Sequence, residues 1–96
     1  MVEYGLSVLA EQDLADILDY TWEEFGEDQA FSYLGELKNR LSMLAANPSM
    51  AAERKEFVPP VRLFPSGGHT IIYMDHGDHI WVVRILHRRM DVKRHL

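Results

Sequence analysis

The chain has 96 residues, 47% hydrophobic and 26% charged, with a formal net charge of −5 and no cysteine. That length makes a single domain, residues 1–96, whose modest core buries roughly 60% of the unfolded surface. The missing cysteine removes disulfides, thiolate zinc sites and cysteine nucleophiles together and fits a reducing cytoplasm; no apolar run approaches the ~20 residues of a membrane span, and the start MVEYGLSVLAEQDL lacks the basic and apolar regions of an export signal.

EYGLSV, residues 3–8, sets Tyr4, Leu6 and Val8 on one face and reads as a first strand, with Ser7 suited to cap the helix that follows. From Leu9 to Phe25 the positions Ala10, Leu14, Ile17, Leu18, Thr21 and Phe25 recur at helical spacing. Gly26 interrupts the pattern, and Glu27 and Asp28 suit the first turn of a second helix, where backbone N–H groups favour negative charge. Its seam is Ala30, Leu34, Leu37, Leu41 and Leu44, and Asn47-Pro48 ends it. So short a joint folds the two into an antiparallel helical hairpin. Residues 47–60, NPSMAAERKEFVPP, read as a loop. VRLFP (61–65), HTIIYM (69–74) and HIWVVRILH (79–87) then read as strands, separated by Ser66-Gly67-Gly68 and by Asp75-His76-Gly77-Asp78, both suited to tight hairpins. The predicted fold is α+β with the order β-α-α-β-β-β. The helical hairpin covers one face of an antiparallel sheet, the first strand joins at an edge, and the other face is left open.

Charge is divided along the chain. Residues 1–37 carry ten acids and no Lys or Arg, whereas residues 38–96 carry all ten Lys and Arg against five acids, so the two parts stand at −10 and +5. An acidic or polyanionic partner for the basic part follows from this asymmetry, against the alternative of two differently charged solvated faces. In the last strand, alternation sets Trp81, Val83, Ile85 and His87 on one face and Ile80, Val82, Arg84 and Leu86 on the other. Trp81, Val83 and Ile85 are assigned to the helices, which sends Arg84 to the open face. Arg62, between Val61 and Leu63, is expected there as well. With His87, Arg88 and Arg89 these would form a basic concave patch able to pair with carboxylates or phosphates; the competing expectation is that each Arg answers an acid of the helices. His76 and His79 form an H-x-x-H at a turn without cysteine, a poor zinc signature, so no metal and no cofactor is expected. His87 can act as a general acid or base only beside a phosphate and a second group, for which Tyr73 is a candidate. Asp13, Asp16, Glu23 and Glu24 lie off the apolar stripe of the first helix and read as a solvated face.

Four features together carry a family resemblance: an acidic first helix ending in Phe25-Gly26, the L-x-x-L-x-x-N-P of residues 41–48, the R-x-x-P-x-G-x-H of 62–69, and ILHRRMD at 85–91. Over nearly its whole length the chain resembles the ParE branch of the ParE/RelE toxin superfamily of type II toxin–antitoxin systems. The resemblance implies the same β-α-α-β-β-β fold and a growth-inhibiting, non-enzymatic toxin that traps DNA gyrase with cleaved DNA. It also implies a hetero-oligomer with a ParD-like antitoxin, whose acidic C-terminal segment orders on the toxin. The positions expected at the target or antitoxin contact are Arg62, Arg84, His87, Arg88, Arg89, Met90, Asp91, Lys93 and Arg94, of which the resemblance ties the exit from His87 onward to toxicity. RelE relatives instead cleave mRNA on the ribosome with basic residues and a terminal Tyr or His. Here His69-Thr70 stands where such relatives place an arginine and no tyrosine follows His87, but Arg62, Arg84 and His87 remain for that alternative.

Overall fold

The computed structural model describes residues 3–96. Strand β1 (Glu3–Leu6) leads through Ser7 into α1 (Val8–Phe25), and Gly26 joins α1 to α2 (Glu27–Ala46). A 3₁₀ turn (Pro48–Met50) and the short β2 (Glu53–Arg54) follow, then β3 (Val61–Ser66), β4 (His69–Asp75), β5 (His79–His87) and a final helical turn, α3 (Val92–His95). The strands make one sheet in the order β1-β5-β4-β3-β2. The α+β class and the strand–helix–helix–strand order stand as expected. Two details differ. Edge strand β1 runs parallel to β5, so the sheet is mixed rather than antiparallel. The segment 47–60 is not a plain loop: β2 pairs with β3, the Tyr73 hydroxyl donates to the Pro48 carbonyl at 2.7 Å, and the Arg62 guanidinium donates to the Ala51 carbonyl.

Ser7 fixes the start of α1 against the sheet. Its hydroxyl oxygen accepts from the Ala10 N–H at 2.9 Å, its hydroxyl donates to the Val83 carbonyl at 2.6 Å, and its own N–H donates to the Val82 carbonyl at 2.9 Å. A cap of this kind contributes about 1 kcal/mol. The main core lies between the hairpin and the sheet: Ala10, Leu14, Ile17, Leu37, Leu41 and Leu44 close over Ile71, Tyr73, Ile80, Val82 and Ile85. A smaller cluster occupies the opposite face, where Phe57, Leu63, Met74, Val83 and Val92 pack on Val61, Ile72 and Leu86. That face is therefore partly covered, not open.

A β-bulge in β5 decides which side chains reach which cluster. Tyr73 is paired with Val82 but Ile72 with Arg84, so Val83 is an extra residue. Ile80 and Val82 point to the helices; strict alternation would then drive Arg84 into the same core. The extra residue gives the next core position to Ile85 and sends Leu86 to the far face. This corrects the assignment of Trp81 and Val83 to the helix side. Trp81 instead lies across Gly5, its partner in β1, where a Cβ would stand 2.7 Å from the indole Cε3.

Arg84 is met by Asp13 of α1. One carboxylate oxygen accepts from Arg84 Nε and from the Ile85 backbone N–H, and the other from Arg84 Nη2, all at 2.9 Å. Their side chains are only 12% and 17% exposed, so Asp13 does not belong to the solvated acidic face. Because β1 pairs only as far as Val82, Ser7 and Asp13 supply the polar partners that a continuing strand would have given. Asp13→Ala strands a largely buried guanidinium and is expected to cost about 3 kcal/mol, a fall of roughly 10–20 °C in melting temperature for a domain this size. Thermal unfolding followed by circular dichroism checks this, and a melting temperature equal to the parent's would contradict it.

Candidate binding groove

Beside the Asp13–Arg84 pair, the hairpin and the end of the β4–β5 ladder enclose a groove of about 740 Å³. Ile17, Tyr20 and Thr21 of α1, Phe25, and Tyr33 of α2 form the helical wall; Gly68, His69, Ile85 and His87 form the sheet wall. Tyr20 and Phe25 are 57% and 68% exposed, and Met90 on the chain exit adds a third exposed apolar side chain to the lip. Large apolar groups left in water around a concavity mark a contact surface.

Tyr33 spans the groove floor. Its hydroxyl oxygen lies 2.6 Å from His69 Nδ1 and accepts from the Gly68 N–H at 3.1 Å. The β3–β4 turn makes room for it: Gly67 has φ +58°, and a Cβ there would fall 2.9 Å from that hydroxyl. His69 and His87 are direct partners across β4 and β5, their rings edge-to-face with centroids 5.7 Å apart. Burial, with the His87 ring adding to it, holds the His69 imidazole below its ordinary range; the Asp13 carboxylate acts the other way. Burial raises the Tyr33 phenol, opposed by the Gly68 N–H and supported by Glu36.

The positions singled out from the sequence separate into three groups. Arg84, His87 and Met90 line the groove. Arg88, Arg89, Asp91, Lys93 and Arg94 are exposed on the exit. There Arg88 donates through its backbone to Gly68 at 2.9 Å and through its guanidinium to Gly67 at 3.3 Å, and Asp91 caps α3 by accepting from the Lys93 N–H at 3.0 Å. Arg62 is elsewhere. It pairs in register with Tyr73 and so shares the helix-side face, with Asp75 at 3.9 Å. The expected basic patch on an open sheet face is thus not formed: Arg62 and Arg84 do not converge, and Arg84 is already neutralised. Nor does Tyr73 serve His87, being fully buried and bonded to Pro48. His76 and His79 stack at 5.2 Å in their turn, and no group of three or more metal-ligating side chains occurs among the described residues. No helix among them is long and apolar enough to cross a membrane.

Comparison with known proteins adds to this geometry. The family model described as "ParE toxin of type II toxin-antitoxin system, parDE" matches residues 4–92. Toxin ParE1 of Mycobacterium tuberculosis is 43% identical over 94 residues, covering 97% of this chain and 96% of the relative. Toxin ParE1 of Caulobacter vibrioides is 33% identical over 96 residues, covering 100% of this chain and 99% of the relative. Toxin ParE of Escherichia coli is 33% identical over 97 residues, covering 100% and 94%. A solved structure titled "Chromosomal ParDE TA system from P. aeruginosa" has a TM-score of 0.76 at 21% identity, covering 91% of this chain and 96% of that one, and shows the same fold.

The depressed His69 imidazole gives a pH signature. The unfolded chain takes up this proton near the ordinary value of about 6.5 and the folded chain only below it, so acidification through that value favours unfolding and the contribution is complete above it. The free protein is expected to lose melting temperature as pH falls through about 6.5, and His69→Gln to remove part of that loss. Superimposable pH profiles for parent and variant would refute the assignment.

Proposed function

The chain belongs to the ParE toxin family of type II toxin–antitoxin systems, and from that premise we propose that it is a cytoplasmic inhibitor of DNA gyrase. It holds the enzyme with cleaved DNA and makes or breaks no covalent bond itself. A ParD-like antitoxin neutralises it, laying an acidic, apolar-anchored C-terminal segment into the groove between the hairpin and the β4–β5 ladder. The observation that carries the reading is the family match over residues 4–92, supported by relatives alike along their whole length. The groove suits such an occupant. Its floor is aromatic and aliphatic, its lip is Tyr20, Phe25 and Met90, and His87 lines it where the chain leaves for the exposed Arg88 and Arg89 of the exit.

For the target, the exposed cations of the exit are the natural contact. Arg88, Arg89, Lys93 and Arg94 stand on a segment with a single acid, Asp91, able to meet phosphate or an acidic protein surface. The messenger-RNA-cleaving alternative has weaker support, since Arg62, Arg84 and His87 are not gathered around one point and Arg84 is committed to Asp13.

Purified toxin at micromolar concentration is expected to inhibit gyrase supercoiling and to increase linear, protein-linked DNA. Arg88→Glu/Arg89→Glu is expected to weaken this by about tenfold or more while leaving the fold intact, because both side chains are exposed. Unimpaired supercoiling together with cleavage of translated message would replace the gyrase reading with the nuclease one.

A further inference from the structure

Granting an acidic antitoxin segment as the occupant of the groove, we infer that His69 and His87, with Tyr33 behind them, are the receptor for one of its carboxylate side chains, and that docking takes up a proton. The two imidazoles are direct cross-strand partners and both line the groove. Each has one ring nitrogen engaged and the other free. His69 Nδ1 meets the Tyr33 hydroxyl at 2.6 Å, and His87 Nδ1 accepts from the Arg89 N–H at 3.2 Å. With Nδ1 accepting, the His87 hydrogen sits on Nε2, a donor.

No described carboxylate is hydrogen-bonded to or ion-paired with either ring. The charged groups around them come from every side of the groove. On α1, Asp13 is bound to Arg84 and the Ile85 N–H, and Asp16 accepts from Gln12 at 2.9 Å. On α2, Glu36 acts on Tyr33; on the sheet and exit stand Arg84, Arg88 and His95. Neither imidazole donates to a protein acceptor among the described residues; His69 is half-buried and His87 exposed at the same wall of the groove, and an incoming carboxylate gives both a charged acceptor.

Tyr33 suits both charge states of His69. When His69 is neutral with its hydrogen on Nε2, the Tyr33 hydroxyl donates to Nδ1. When a solvent proton adds to Nδ1, that N–H donates to the Tyr33 oxygen, and the hydroxyl hydrogen turns to the Ser66 carbonyl 3.4 Å away. Neither state leaves a buried polar atom without a partner. In the free protein burial disfavours the added proton. A carboxylate against the pair reverses this, so the complex holds the proton at a higher pH than the free toxin does, and affinity rises as pH falls between the two values.

The test uses the full-length toxin with the purified product of the adjacent reading frame, and with a synthetic peptide of its acidic C-terminal segment, by titration calorimetry. Binding is expected to be about tenfold tighter near pH 6 than near pH 8, with uptake of up to one proton read from buffers of different ionisation enthalpy. His87→Gln and His69→Gln are each expected to bind with a flattened pH profile. His87 is exposed, so His87→Gln reports on the pair even if His69→Gln melts early. Equal affinity at both pH values, or an undiminished slope in His87→Gln, would overturn the inference while leaving the antitoxin partner in place. Absence of binding at every pH would remove that partner and the inference with it. A histidine-dependent slope seen for a short single-stranded RNA but not for the antitoxin would reassign the pair to phosphate.

Discussion

Asp13 is the point on which the arrangement turns. A single carboxylate takes two N–H groups of the Arg84 guanidinium and the backbone N–H of Ile85, tying α1 to the stretch of β5 that lies beyond the end of β1 and is paired only with β4. The bulge at Val83 makes this possible by turning Arg84 out of the core and giving the core position to Ile85. Ser7 holds the other side of the same bulge through the Val82 and Val83 carbonyls. Removing one partner of such a pair is costly because the other stays desolvated, whereas the intact pair adds little beyond specificity of register. Its service is positional: it fastens α1 to β5 at the wall of the groove that both residues line.

The charge division of the sequence acquires a structural meaning from the same pair. Among the described residues, Arg84–Asp13 is the ion pair that joins the acidic first part of the chain to the basic second part; the others, such as Arg54–Glu56, Arg62–Asp75 and Arg94–Asp91, lie within the second part. The acids of the hairpin and the cations of the exit are thus largely not spent on one another. Most of them are exposed to solvent.

Much of the fold was legible. The helix boundaries follow from Ser7, Gly26 and Asn47, whose chemistry suits an N-cap, a joint with φ +90° and a stop. The hairpins follow from their Gly and Asp residues. The bulge was not legible, because no Gly or Pro marks it, and a shift of one residue reverses the faces on one side of it relative to the other, so faces assigned from Arg84 come out inverted at the residues before it. The error over Trp81 and Val83 came from that shift. So did the overlooked histidine pair: counting back from the β4–β5 turn matches His69 with Leu86, and only the extra residue brings His87 opposite. Tyr33 was hidden for a different reason. It lies beside the Leu34–Leu37 seam, and its role depends on a glycine turn more than thirty positions away. Arg62 was misplaced because its neighbours' apolarity says nothing of which sheet face each one occupies when both faces carry a cluster.

The most direct measurement is backbone amide hydrogen exchange of the toxin, alone and with its antitoxin. If the groove is the docking site, protection is gained along Ile17–Phe25, Tyr33, and both strand ends at His69 and Ile85–His87, and the far face at Phe57–Val61 and Trp81 is unchanged. Protection gained at Phe57–Val61 and Trp81, with the groove unaltered, would place the antitoxin on the opposite face and contradict the account.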